Sequence, residues 1–238
     1  MYLWFVAAAA AYFIKGLCGF ANTLVFTSIL SFGTTNANIS PVDLLMGYPA
    51  NLILTWENRK KLNPKVYMPL AGLVLAGSIP GAFLLKNTDT HAIKIVFGIV
   101  VICLGIEMLT REYGNKNIGT SRAMLGIIGI LAGILCGLFG VGALLAAYVS
   151  RVTDDSATFK ANISVVFIVE NTFRIILYGA MHILTFHTLK TALLLIPCVL
   201  LGMFAGVKCG RVIEEKKVRK ITAVLLVLSG ISLILKNL

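Results

Sequence analysis

Charge is what this sequence has least of. Only 13% of its 238 residues are Asp, Glu, Lys or Arg, where a soluble domain of this length carries about a quarter. Ten are acidic. With so few ionisable side chains the chain cannot clothe a water-soluble core in a polar shell. The local patterns that carry catalysis are missing as well. There is no HExxH, GxSxG or Walker A pattern and no paired catalytic carboxylate motif, so an enzyme reading has no residues to stand on. The five cysteines (Cys18, Cys103, Cys136, Cys198, Cys209) show no CxxC spacing and lie in or beside apolar runs. They read as small buried hydrophobes rather than a disulfide framework or a metal site. His91, His182 and His187 fall at loop positions, and the last two, five apart, share no helical face. No metal and no other cofactor is expected. The N-terminal run MYLWFVAAAAAYFIKG lacks the positive n-region of a signal peptide and reads as retained.

Apolar side chains fill the gap, at 58% of residues and a mean hydropathy of +0.91. They gather in segments at about 2–31, 41–57, 67–86, 92–110, 122–150, 158–179, 189–208 and 218–236. Runs of about 20 apolar residues match the thickness of a bilayer's hydrocarbon core, so the chain reads as a multi-pass integral membrane protein of the plasma membrane. The formal net charge is +11. Its Lys and Arg sit in short loops between apolar runs, where they bear on topology and lipid headgroups. Without a basic, aromatic-bearing soluble module, nucleic acid is excluded as a partner.

The two halves repeat weakly. GSIPGAFLLK (77–86) lies over GMFAGVKCGR (202–211) at an offset of 125, and GLCGFANTL (16–24) over GLFGVGALL (137–145) at 121, although the Cys-Gly pairs favour 118. The expected division is a first membrane repeat at 1–112, a linker loop at 113–121 and a second repeat at 122–238. Eight plain spans leave Lys and Arg evenly divided between the two faces. Letting segments 1 and 5 go in and come back as broken hairpins puts 15 on one side against 4 on the other, a strong positive-inside bias. Each repeat then has an odd number of crossings, and both termini face outward. The expected fold is an all-α integral membrane protein of two inverted structural repeats, each a glycine-rich broken helical hairpin plus three transmembrane helices.

Non-helical backbone at membrane depth is tolerated only where protein buries it or where it lines a wet cavity. Gly16, Gly19, Gly137, Gly140 and Gly142 would let the chain turn, and the freed N–H groups of a half-helix attract anions. Close helix packing explains the same glycines. Asn22 and Thr23 add donors at that depth. Lys15 lies midway along its segment, facing either an anion or, by snorkelling, the interface. Glu170 and Arg174 are four apart near midspan, on one helix face. They read as a proton or coupling site beside an anion's counter-charge, or as a self-neutralising structural pair. Asn171 adjoins them, and Asn51 falls near the corresponding place of the first half. Asn162 and Ser164 in KANIS (160–164) would continue the lining.

At the glycine clusters the chain resembles the sulfite exporter TauE/SafE family of membrane transporters. Gly137, Gly140 and Gly142 lie on the family's G-x-x-G-x-G-G type stretch. The first half keeps Gly16 and Gly19 but has Ala21 and Asn22 where further glycine is usual. The resemblance implies secondary transport, often outward, of small sulfur-containing or organic anions such as sulfite or sulfonates. The expected partners are a small anionic solute, the lipid bilayer and a second copy of the chain in a homodimer. An anion channel of the same architecture, a cation carrier using Glu170 and a membrane scaffold without substrate are the competing readings.

Overall fold

The structure, a computed structural model, describes residues 2–30, 36–87, 122–139, 142–153 and 155–235, with further positions between 95 and 110. All regular structure among them is helical. The elements are α1 (Tyr2–Cys18), α2 (Asn22–Leu30), α3 (Asn36–Glu57), α4 (Pro64–Asn87), α5 (Arg122–Phe139), α6 (Ala143–Val152), α7 (Ser156–Ala180), α8 (Phe186–Val212) and α9 (Glu215–Leu235). Capping fixes two of the starts. Asp155 accepts from the Thr158 backbone N–H ahead of α7, and Thr185 forms a reciprocal capping box with Thr188 ahead of α8.

The outside of the bundle is apolar. Trp56, Ile176, Leu201 and Phe204 all project outward, Leu201 with 73% of its surface free. An apolar exterior of this kind suits lipid. Among the described residues, α7 and α8 are long and apolar enough to cross a membrane.

Helix α1 stops at Cys18 and the chain doubles back. Gly19 (φ +88°) and Ala21 (φ +71°) both take left-handed backbone, and α2 then runs alongside α1. The rings of Trp4 and Phe26 meet edge to face at 5.8 Å. In one straight helix, residues 22 apart would be separated by about 33 Å. The segment is therefore a hairpin. The second glycine cluster also interrupts helix, α5 ending at Phe139 and α6 beginning at Ala143 after Gly142.

Glycine lets backbones touch where helices cross. Gly202 and Gly206 of α8 lie against the carbonyls of Ala9 and Phe13 in α1; Gly77 and Gly81 of α4 lie against those of Ile130 and Ile134 in α5. A methyl group at any of the four would collide with backbone. The two crossings use matching positions, since 77 and 81 become 202 and 206 on adding 125, and 9 and 13 become 130 and 134 on adding 121. A third contact is reciprocal: Gly105 lies against the Ala223 carbonyl and Gly230 against that of Gly98, with 125 again separating Gly98 from Ala223 and Gly105 from Gly230.

Two apolar cores result. One joins the α1–α2 turn to α4, α5, α6 and α7; the other joins α1, α2, α3 and α8. The first hairpin stands between them and brings its polar tip to the middle of α3 and α7.

Candidate functional site

The polar tip borders a small cavity. Lys15 (α1), Asn22 and Thr23 (α2), Asp43, Gly47 and Asn51 (α3), Gly142, and Phe167, Asn171 and Arg174 (α7) surround a cavity of about 30 Å³. That is room for about two waters. A sulfite or sulfonate needs the lining to part.

The Lys15 ammonium is 2% exposed. Its Nζ donates to Asn22 Oδ1 at 2.9 Å and stands 5.4 Å from the centre of the Phe167 ring, a cation–π contact. Asn22 in turn donates through Nδ2 to Asp43 Oδ1 at 3.1 Å. Thr23 Oγ1 donates to Asp43 Oδ2, and the buried Tyr12 hydroxyl donates to Asp43 Oδ1 at 3.1 Å. Lys15 and Asp43 thus form a buried cation and anion joined through one amide.

Across the cavity, Arg174 donates through Nη2 to Ser40 Oγ and to the Tyr178 hydroxyl, each at 3.0 Å. Its Nε lies 3.5 Å from Glu170 Oε1 without hydrogen-bond geometry. Arg174 Nε, Glu170 Oε1 and Asn51 Oδ1 are buried and have no hydrogen-bond partner. In a protein interior unmade polar contacts are costly. Two of the residues that line the cavity thus carry a polar atom to which the protein supplies no partner.

Most of the polar residues expected from sequence converge here: Lys15, Asn22, Thr23, Asn51, Asn171 and Arg174, together with Gly142. Others lie elsewhere. Gly16 is inside α1 and packs against the Met203 carbonyl, while Gly19 packs against the Lys160 side chain. Asn162 clasps the loop between α3 and α4, accepting from the Asn63 backbone N–H at 2.9 Å and donating to the carbonyls of Lys61 and Thr158. Ser164 is buried away from the cavity with its hydroxyl unpartnered. Glu170 touches Arg174 but does not line the cavity. Gly137 is in the last turn of α5, and Gly140 lies outside the described residues.

Sequence reasoning passed over Asp43 and Tyr12. The signal for Asp43 was there, an acid inside the apolar segment 41–57 whose other acid, Glu57, is its last residue, and a charge inside a membrane segment marks function by default. Tyr12 carried none, being one aromatic in an apolar run.

A second, larger vestibule of about 460 Å³ opens where α3 and α8 end and α7 begins, between Glu57, Asp155, Lys160 and Arg211. Arg211 and Glu57 form an ion pair across it. At its inner wall Lys160 Nζ donates to the Gly16 carbonyl at 3.0 Å, setting a cation at the C-terminal end of α1. Asp155, at the start of α7, is held below the ordinary aspartate range, first by the hydrogen bonds from Thr158 and also by Lys61 nearby.

A lipid-facing helical bundle, an interrupted helix at its centre and a buried polar cavity at the interruption define a membrane transporter. The chain belongs to the sulfite exporter TauE/SafE family, which it matches over residues 4–233, a family of transporters rather than an enzyme class. It is 24% identical over 196 residues, 80% of each chain, to the "Probable inner membrane transporter protein TsaS" of Comamonas testosteroni. No solved structure matches it significantly.

Proposed function

We propose that the chain is a secondary carrier that moves small sulfur-containing or organic anions, such as sulfite or sulfonates, outward across the plasma membrane. The observation that carries this reading is the pair of buried cations, Lys15 and Arg174, on one cavity with orphaned polar atoms at Asn51 and Arg174. Fully buried ammonium and guanidinium groups are expensive in a membrane and are kept where they meet a ligand or partner. Each has a carboxylate within the protein, Asp43 through Asn22 and Glu170 directly, so the two cations are balanced internally and an anion competes with an internal counterion. Glu170 is the resting partner of Arg174 and a candidate proton site.

The carrier is built from two inverted repeats, each opening with a broken hairpin. The matched glycine crossings support this: α1 on α8 uses the same paired positions as α5 on α4. In that arrangement the vestibule beside Lys160 lies on the cytoplasmic side, among the Lys- and Arg-rich loops, and substrate enters there. Alternating access is rocking of one repeat against the other.

Asp43 is the one observation favouring a second reading, a cation carrier, because a buried carboxylate also receives cations. Thermal unfolding of the purified protein against sulfite, thiosulfate, sulfoacetate, carboxylates and alkali chlorides separates the two. Ligands that bind the folded form raise the midpoint. Stabilisation by sulfur oxyanions at constant cation supports the anion carrier; stabilisation that follows the cation and ignores the anion sinks it.

A further inference from the structure

The side-chain donors of Asn22 and Thr23 at the hairpin tip are already engaged. Asn22 Nδ2, Thr23 Oγ1 and the Tyr12 hydroxyl all converge on Asp43, which is 4% exposed, and Lys15 is tied to the same cluster through Asn22. These are the groups an oxyanion at the hairpin tip would need. We propose that Asp43 is a proton-coupling group of the transporter, taking up one proton for each anion that enters the cavity. The proposal rests on the anion-carrier reading above.

Three side-chain donors, from Tyr12, Asn22 and Thr23, converge on the Asp43 carboxylate. When an anion arrives, Lys15, Asn22 and Thr23 turn to it. Asp43 then keeps fewer donors and faces a second negative charge in a site without bulk water. Neighbouring like charges raise the proton affinity of a carboxylate, and loss of hydrogen bonds to the charged form raises it further. A proton from the water on the side of arrival forms an O–H bond at an Asp43 carboxylate oxygen. The acid then donates where the carboxylate accepted, so it binds the anion it had opposed. When the anion leaves on the other side, the donors return and the proton is released there.

Among the described residues, Asp43 is the one carboxylate that lines the cavity. Lys15 of α1 and Arg174 of α7 line it as well. Tyr12, also of α1, is a hydrogen-bond donor and already protonated. Glu170 lies off the cavity, beside Arg174. Helix α2 contributes only uncharged side chains, and α8, which also packs on α3, contributes none.

The test is titration calorimetry of the full-length protein with thiosulfate and with sulfoacetate, whose charges are constant between about pH 6 and 8, in buffers of different ionisation enthalpy. Wild type is expected to take up about one proton per anion and to bind up to about tenfold more tightly for each unit of falling pH. Asp43→Asn, close to isosteric, is expected to bind with no proton uptake and a flat pH dependence. Anion binding by wild type without proton uptake overturns the proposal while leaving the carrier reading intact, as does unchanged uptake in Asp43→Asn. If neither anion binds wild type, the carrier reading fails and this proposal with it.

Discussion

The Lys15 ammonium and the Asn22 side-chain oxygen meet at 2.9 Å across the break that separates α1 from α2. The contact pins the hairpin tip and leaves two of the three ammonium protons for other acceptors. Lys15→Gln puts a neutral amide in place of the ammonium and so removes the charge. A hydrogen bond to a charged group contributes about 1.5–3 kcal/mol, so anion affinity should fall about tenfold to a hundredfold. Calorimetric titration with thiosulfate measures it, and an unchanged affinity would remove Lys15 from the site.

Glu170 and Arg174 form a buried pair with side chains 3% exposed. Removing one partner strands the other charge, at a cost of about 3–5 kcal/mol, whereas replacing both with apolar residues is often close to neutral. Arg174→Ala should therefore lower the melting temperature in detergent far more than the double change Glu170→Leu with Arg174→Met. Both should lose anion binding. A double variant that still binds would assign the pair to structure alone.

Gly206 lies against the Phe13 carbonyl where α8 crosses α1, while Gly72 on α4 faces open space. Gly206→Ala forces the helices apart, and overpacking of this kind costs about 1–3 kcal/mol. Gly72→Ala should be neutral or stabilise by up to about 1 kcal/mol, through its lower entropy in the unfolded chain. The two melting temperatures, read side by side, check the crossing.

Ala21 holds φ +71° at the hairpin turn, a conformation that costs a non-glycine residue about 1–2 kcal/mol. Ala21→Gly should relieve most of that and raise thermal stability. A drop in stability would show that the Ala21 methyl, 8% exposed, contributes more by packing than the turn loses to strain.

Asp155 caps α7 outside the membrane span, and its carboxyl titrates below the ordinary aspartate value because Thr158 donates to it. A depressed folded-state pKa contributes stability that is present above the unfolded value and is lost as pH falls through the folded one. Asp155→Ala should cost about 1 kcal/mol at neutral pH. The gap from wild type should close on acidification below the ordinary aspartate pKa, as followed by circular-dichroism melts. A gap independent of pH would point to packing rather than the cap.

The glycines announced both helix interruptions, because few other residues turn a chain within a membrane. They did not say which glycine does what. Gly16, expected at the turn, is a contact residue inside α1, and the turn itself uses Gly19 and Ala21. The family's usual glycine is replaced close to where left-handed backbone persists, so a departure from the pattern did not abolish the geometry. Asn162 shows the converse: a polar residue in the right segment was aimed at a loop, since helical rotation decides which face meets the cavity.

Composition alone settled that the chain lives in lipid, because scarce charge and abundant apolar side chains leave no other solvent for it. Glycine placement settled where helix gives way, since the backbone there needs freedom that other side chains deny. The convergence of Tyr12, Asn22, Thr23 and Asp43 was decided by tertiary structure only. Their meeting depends on α2 folding back along α1 and on α3 crossing both, and distances between separate helices are set by packing rather than by spacing along the chain.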